Sequence, residues 1–213
     1  MSTLVYWTLW IIVNLVSRLL FHYRTRGDEH IPKTGGVVFA ANHASYADIP
    51  LLGCGVRRRL WFLGRSTLFP NPLVGWILRS LGWIPLRTDR LDRKALGQAI
   101  ALVKAGKPVV IFPEGTRTPD GTLQPGKPGI GVIVAETGCP VIPVYIQGTY
   151  QVLPLGASCP RLHPVEVRFG KPIDFGEMLK QNHQGKTLYI QISQTVMAQI
   201  AELGHVGQSG KSA

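Results

Sequence analysis

Short, uninterrupted apolar runs that alternate with helical stretches constrain the fold of this chain more than any other feature. The runs occupy residues 35–41, 60–63, 83–86, 108–112 and 140–146. Helical patterns occupy residues 49–55, 72–81, 91–104, 127–137 and 188–203, and residues 165–169 alternate like a further strand. Strands that are apolar on both sides are typical of parallel sheets buried between helices. The pattern therefore predicts an α/β fold, with a mostly parallel mixed sheet covered by helices.

The length of the chain, 213 residues, suits a single domain with a substantial core. We divide the chain into an apolar helical segment at residues 1–26, an α/β domain at residues 27–203 and a flexible tail at residues 204–213. The three cysteines, at positions 54, 139 and 159, have neither metal-ligand spacing nor a paired framework. We therefore expect reduced thiols in or near the core.

The segment before the α/β domain is apolar, and no charged residue precedes Arg18. Its uninterrupted apolar stretch is shorter than the roughly 20 residues that a spanning helix needs. Tyr6, Trp7 and Trp10 have the amphipathic rings that are enriched at membrane interfaces. The pattern favours a helix embedded in one leaflet, while a full span and a buried core helix stay open. The arginines at the end of this segment predict that the rest of the chain lies at the cytoplasmic face of the inner membrane.

The net charge of +11 indicates an anionic partner, such as nucleic acid, anionic lipid or a phosphorylated substrate. Basic residues crowd positions 57–94, and tryptophan, phenylalanine and leucine are interleaved with them. This mixture favours a lipid surface. We therefore expect a lipid bilayer as a partner and no nucleic-acid partner.

A His-x4-Asp pair, His43 and Asp48, follows the first buried run. Five residues along a continuous helix rotate by about 500°, which places the two side chains on different faces. They can pair if His43 lies in a turn and Asp48 caps the helix that follows. A histidine oriented by a carboxylate is a competent general base, and here it would deprotonate a substrate hydroxyl directly. Judged alone, such a pair is common, and a structural role stays open.

A second polar loop, Glu114-Gly115-Thr116-Arg117, follows the apolar run at residues 108–112. Gly115 allows the backbone to turn sharply. Arg117 offers a planar guanidinium that suits phosphate. Glu114 can accept a hydrogen bond from a substrate hydroxyl or pair with Arg117. Judged alone, the loop could equally carry an ordinary surface ion pair.

Four short sequence blocks follow one another along the chain. They are Asn-His with Asp at residues 42–48, Gly-Trp-Ile-Pro-Leu-Arg at 82–87, Phe-Pro-Glu-Gly-Thr-Arg at 112–117 and Val-Ile-Pro-Val at 141–144. In this order they resemble the 1-acyl-glycerol-3-phosphate acyltransferase family of glycerolipid acyltransferases. The resemblance runs from about Gly27 to Ile173. Lys127 and Gly129 resemble the Lys-x-Gly segment of that family.

The resemblance implies an O-acyltransferase that moves a fatty acyl group to the sn-2 hydroxyl of lysophosphatidate and gives phosphatidic acid for phospholipid biosynthesis. The donor would be acyl-CoA or acyl-carrier protein, without a cofactor or a metal. His43 would be the general base and Asp48 would orient it. The residues that would bind substrate are Arg65, Arg87, Glu114, Gly115, Thr116, Arg117 and Lys127.

Two departures from the family pattern affect acceptor recognition. Arg65 stands where the family usually has a lysine, which keeps the charge but changes its shape. Arg87 is followed by Thr-Asp-Arg, so Arg90 could share or take over the role assigned to Arg87. The alternatives left open are an acyltransferase for another lysolipid, a hydrolase, and a basic non-catalytic module that binds lipid or nucleic acid.

Overall fold

A computed structural model describes residues 3–65, 82–86, 92–181 and 185–206 of the chain. The helices are α1 (Thr3–Phe21), α2 (Asp48–Cys54), α3 (Arg93–Lys104), α4 (Gly129–Thr137), α5 (Thr149–Val152), α6 (Gly176–Gln181) and α7 (Lys186–Val206). The strands are β1 (Arg24–Arg26), β2 (Val37–Ala41), β3 (Trp61–Arg65), β4 (Trp83–Leu86), β5 (Pro108–Ile111), β6 (Val141–Gln147) and β7 (Glu166–Phe169). The helix predicted at residues 72–81 lies outside the described residues.

The strands of the described residues form one sheet in the order β1-β7-β6-β2-β5-β3-β4. The pairs from β6 through β2, β5 and β3 to β4 are parallel, whereas β7 is antiparallel to β6. This confirms the predicted α/β fold with a mostly parallel mixed sheet. Because β2 and β5 are parallel neighbours, the loops that follow them meet at the same edge of the sheet. That edge brings the His43 turn beside the Glu114 loop.

Helices cover both faces of the sheet, which explains why its central strands are apolar on successive positions. All five residues of β2 are buried. Val38 and Ala40 join the core under α3, α4 and α7. Val37, Phe39 and Ala41 join the core on the opposite face, which α2 and part of α1 cover.

α1 packs along α2 and leaves most of its apolar surface outside the core. Trp10 Nε1 donates to the carbonyl of Gly53, and Asn14 Nδ2 donates to the carbonyl of Cys54, both at 2.9 Å. Ser17 is the only buried residue of α1. Its exposed apolar side chains are Leu4, Val5, Leu9, Ile11, Ile12, Leu15, Val16, Leu19 and Leu20. The helix is long and apolar enough to cross a membrane, and it is not a buried core helix.

Several elements depart from the predicted boundaries. β1 lies inside the segment assigned to residues 1–26 and pairs with β7 at the edge of the sheet, but three polar residues carry no apolar pattern that would reveal a strand. α7 continues to Val206, beyond the predicted start of the tail, because Gly204 lies against the Tyr145 ring and the helix stays packed there. Two of the three cysteines are buried as expected, whereas Cys159 is exposed.

Candidate active site

His43 and Asp48 form a hydrogen-bonded pair at the carboxyl edge of the sheet. His43 lies in the turn after β2, and its Nδ1 is 2.8 Å from Asp48 Oδ2. Asp48 is the first residue of α2, and Ala47 rather than Asp48 occupies the N-cap position. The predicted pairing of a turn histidine with the aspartate at the helix start is therefore found, although Asp48 does not cap the helix. Its carboxylate points back to the turn.

The carboxylate of Asp48 holds the turn as well as the ring. Oδ2 accepts from the backbone N–H of Ala44 at 2.7 Å and of Ser45 at 2.8 Å, in addition to His43. Asp48 is fully buried, and no group of the described residues hydrogen-bonds its Oδ1. An oxygen that accepts three hydrogen bonds must be a pure acceptor, and the ionised carboxylate of Asp48 provides such an oxygen.

The pair fixes the tautomer of the His43 ring. Because Nδ1 faces a carboxylate, Nδ1 carries the proton and Nε2 has the free lone pair. The His43 ring stacks on Phe112 with 4.0 Å between centroids and 18° between planes. The His43 side chain keeps 13% of its surface exposed, so a small part of the ring reaches solvent. A fixed imidazole with an accessible Nε2 can accept a proton from a hydroxyl.

Glu114 contacts the His43 turn through the backbone. Its Oε1 accepts from the His43 N–H at 2.7 Å, and its Oε2 accepts from the Gln124 N–H at 3.0 Å. Glu114 is 2% exposed. This burial raises the pKa of its carboxyl to about 7, while the two N–H donors act in the opposite direction. Both carboxyl oxygens are thus engaged with the protein, so Glu114 ties two loops together.

Gly115 and Lys127 are packed against each other in the same loop region. Gly115 has a φ of +71°, a conformation that side chains with a Cβ rarely adopt. A Cβ there would lie 2.9 Å from both Cδ and Nζ of Lys127. The Lys127 N–H donates to the carbonyl of Pro113 at 2.8 Å. Glycine therefore lets the exposed Lys127 ammonium lie beside the Glu114 loop.

Arg117 lies on an aromatic ring that belongs to the His43 turn. Its guanidinium carbon is 3.5 Å from the centroid of Tyr46, a cation–π stack. The N–H of Thr118 donates to the carbonyl of His43 at 2.8 Å, which ties the two loops next to this stack. Thr116 is exposed in the same loop. The structure therefore brings Glu114, Gly115, Thr116, Arg117 and Lys127 to the edge that carries His43.

The side chains of two predicted substrate-binding residues lie outside the described residues. Arg65 ends β3, and its side chain lies outside the described part of the chain, as does all of Arg87. Arg90 is likewise outside it. Their assignment to the acceptor phosphate stays a prediction.

Sequence reasoning assigned no role to Asn42, Ser45 or Tyr46. The buried Asn42 side chain donates to the Ile146 carbonyl at 3.0 Å and accepts from the Ile146 N–H at 2.7 Å, so it joins the end of β2 to β6. Ser45 Oγ donates to the carbonyl of Leu153 at 2.8 Å. Polar residues flanking the histidine were the available signal, but the sequence does not show that their partners lie about a hundred residues away.

The backbone donors of the turn are largely engaged by the protein. The N–H groups of His43, Ala44 and Ser45 donate to the two carboxylates, and that of Ala47 donates to Ser45 Oγ at 3.0 Å. An oxyanion formed beside His43 therefore needs donors from other positions. Among the described residues, no group of three His, Cys, Asp or Glu side chains is placed to hold a metal ion.

Comparisons with known proteins identify the family of the chain. The Acyltransferase family model matches residues 22–147. A chloroplastic 1-acyl-sn-glycerol-3-phosphate acyltransferase of Brassica napus is 37% identical over 160 residues, covering 71% of this chain and 45% of the relative. A lyso-ornithine lipid O-acyltransferase of Pseudomonas aeruginosa is 32% identical over 140 residues, covering 65% of this chain and 52% of the relative. The crystal structure of the 1-acyl-sn-glycerophosphate acyltransferase of Thermotoga maritima has a TM-score of 0.73 and 30% identity, covering 93% of this chain and 81% of that one.

A mostly parallel α/β sheet carries a histidine at its carboxyl edge, and the carboxylate beside that histidine orients it in a way that suits proton transfer from a hydroxyl. The chain belongs to the Acyltransferase family, and the resemblance to the 1-acyl-glycerol-3-phosphate acyltransferases is confirmed. The chain spans about half the length of the curated relatives reported above.

Proposed function

We propose that this protein transfers a fatty acyl group from an acyl thioester to the sn-2 hydroxyl of 1-acyl-glycerol-3-phosphate and so produces phosphatidic acid. The observation that carries the proposal is the 2.8 Å contact between His43 Nδ1 and Asp48 Oδ2, which leaves Nε2 as the base. The names of the relatives support this acceptor, because several are 1-acyl-sn-glycerol-3-phosphate acyltransferases.

The reaction needs one proton to move out and back. His43 Nε2 takes the proton of the acceptor hydroxyl while the oxygen attacks the thioester carbonyl. The tetrahedral intermediate then expels the thiolate, which receives the proton from the imidazolium. Asp48 stabilises that imidazolium and keeps the ring in place. Thioesters are reactive enough that a base and correct positioning suffice.

The acceptor phosphate would be held by cations at the same edge. Arg117 is already oriented by its stack on Tyr46, and Lys127 lies beside Gly115. Arg65 and Arg87 complete this set in the proposal. A guanidinium can bind a phosphate through two parallel hydrogen bonds, so an oriented Arg117 favours a phosphorylated acceptor. Glu114 acts through the backbone of the His43 turn rather than as a direct ligand.

The donor in this proposal is acyl-CoA or acyl-carrier protein, and no cofactor takes part. The exposed apolar face of α1 supports association with a lipid bilayer, since a face of this size is unstable in water. The arginines after α1 support a location at the cytoplasmic face of the inner membrane, where the product would enter phospholipid biosynthesis.

The test is transfer of labelled acyl groups from acyl-CoA and from acyl-carrier protein to lysophosphatidate in lipid or detergent. We expect labelled phosphatidate from the wild type and none from His43→Ala. His205→Ala, which changes an exposed histidine on α7, is the matched control and should keep the activity. Failure of the wild type to acylate lysophosphatidate with either donor would overturn the proposal. Release of labelled fatty acid in place of phosphatidate would indicate a hydrolase.

The similarity of the chain to a lyso-ornithine lipid O-acyltransferase favours a second candidate acceptor, a lyso-amino-lipid. An acceptor without phosphate would leave Arg117 without its anion. A competition assay between lysophosphatidate and a lyso-amino-lipid therefore shows which of the two acceptors the protein uses. Under our proposal, Arg117→Leu raises the KM for lysophosphatidate and leaves that for a phosphate-free acceptor unchanged.

A further inference from the structure

A basic surface lies at the amino ends of the central strands, and the His43 turn lies at their carboxyl ends. Its cations are Lys33, Arg57, Arg59, Lys104 and Lys107, which we call the basic edge. They lie on the segments that enter β2, β3 and β5, at the amino ends of these strands. No Asp or Glu occurs in residues 30–47, 49–65 or 93–113. The basic edge therefore has a concentrated positive charge within the described part of the chain.

Arg58 joins the segments that carry these cations. Its Nη1 donates to the carbonyl of Pro32 at 2.9 Å. Its Nη2 donates to the carbonyls of Gly35 at 2.6 Å and Gly106 at 3.1 Å. Three carbonyls from two loops thus converge on one guanidinium. Arg58 is structural, and it holds the loops of Lys33 and Lys107 next to the arginines on either side of it.

Aromatic rings connect the basic edge to α1. The guanidinium carbon of Arg59 is 5.6 Å from the ring centroids of both Tyr6 and Trp61. The ammonium of Lys107 is 5.9 Å from the Trp61 ring. Tyr6 belongs to α1, whose outward side chains are apolar. Cations, interfacial rings and an apolar helix face are therefore continuous on one side of the molecule, the combination that suits the headgroup region of a bilayer.

The position of this surface separates it from catalysis. β2 and β5 run from the basic edge to the His43 turn and the Glu114 loop, so the two sites lie at opposite ends of the same strands. In lysophosphatidate the phosphate is on the carbon next to the one that carries the sn-2 hydroxyl, so a hydroxyl held at His43 keeps that phosphate at the carboxyl ends of the strands, away from Lys33 and Lys107. The basic edge therefore has no part in holding the acceptor phosphate.

We propose that the basic edge binds the phosphate groups of anionic lipids and thereby orients the protein on the membrane next to α1. The charge complementarity favours anionic headgroups, and the continuity with the apolar face of α1 favours a lipid over a soluble acidic protein. The proposal does not depend on which reaction His43 performs.

The test measures binding of the full chain to vesicles of neutral phosphatidylcholine, with and without anionic phosphatidylglycerol. The test variant combines Lys33→Gln, Arg57→Gln and Lys107→Gln, which are exposed positions of the basic edge. The control combines Lys171→Gln, Lys180→Gln and Lys186→Gln, which removes the same number of positive charges. These exposed lysines lie at or near α6 and α7, which pack on the face of the sheet that α1 does not cover. Each cation near an anionic surface strengthens binding about fivefold.

We expect the test variant to bind anionic vesicles on the order of 100-fold more weakly than wild type, and neutral vesicles equally well. The control should lose much less on anionic vesicles. Equal losses in both variants, or a loss on neutral vesicles as well, would overturn the proposal. So would a test variant that binds anionic vesicles like wild type but loses turnover with acyl-carrier protein alone, because that result would assign the surface to an acidic donor protein. A His43→Ala chain should bind both vesicles like wild type, which keeps this result separate from the assignment of the reaction.

Discussion

The buried carboxyl of Glu114 makes the stability of the protein depend on pH. Burial raises its pKa from 4.5 to about 7. The folded chain therefore binds more protons than the unfolded chain between these values, and stability falls as pH rises through that window. One pKa unit corresponds to about 1.4 kcal/mol, so the ionised Glu114 lowers the free energy of unfolding by about 3 kcal/mol above pH 7.

The perturbation is Glu114→Gln, which keeps the shape and removes the titration. The amide oxygen can accept from one of the two N–H donors, while its NH2 group faces the other donor and adds a penalty that does not change with pH. We therefore compare how the free energies of unfolding of the wild type and of Glu114→Gln change with pH, rather than their absolute values. Because all other titrating groups are shared, the difference isolates Glu114.

The assay is urea unfolding in detergent micelles from about pH 5 to about pH 8. We expect the stability of the wild type relative to Glu114→Gln to fall by about 2.5 kcal/mol over this range, because part of the change has already occurred at pH 5. Glu136→Gln, at an exposed position on α4, is the matched control for replacing a carboxylate. A difference that stays flat with pH would refute the reasoning, since it would mean that burial does not raise the pKa of Glu114.

Three further predictions concern the same edge of the sheet. Asp48→Asn removes the charge that stabilises the imidazolium, so kcat should fall on the order of 10⁴-fold with little change in acceptor KM; an unchanged kcat in the acyl-transfer assay would contradict this. Tyr46→Leu removes the ring under Arg117 and should raise the KM for lysophosphatidate about 2- to 30-fold, whereas Tyr46→Phe keeps the stack and the wild-type KM. Gly115→Ala places a residue with a Cβ in a left-handed backbone conformation and should lower the free energy of unfolding by about 1–2 kcal/mol. The clash of the added Cβ with the Lys127 side chain should lower it further. Gly35→Ala is its control in the urea assay, because Gly35 has a φ of +83° with no atom within 4 Å of the added Cβ; equal losses would rule out the clash.

The sequence predicted the fold class because periodicity reports burial, and the strands of this sheet are buried on both faces. It missed β1 because an edge strand of three polar residues has no such periodicity. It also predicted the pairing of His43 with Asp48, because only a few residues separate them and the geometry of a turn before a helix is local. The contacts of Asn42 with Ile146 and of Glu114 with the His43 N–H could not be predicted, since they depend on which strands are neighbours in the sheet.

The roles of Glu114 and Asp48 are better understood together. Asp48 binds the imidazole and two backbone N–H groups of the turn, and Glu114 binds the N–H of His43 itself. Four contacts therefore order the turn. In the proposed mechanism, this order removes the entropy of positioning the base from the reaction barrier. The same arrangement buries a glutamate whose ionised form destabilises the fold above neutral pH. A hydrophobic residue at position 114 would avoid that loss of stability, but it would leave two buried N–H donors unpaired and the His43 turn untied. The carboxylate at this position therefore pairs two buried N–H donors and orders the His43 turn, although its ionised form lowers stability above neutral pH.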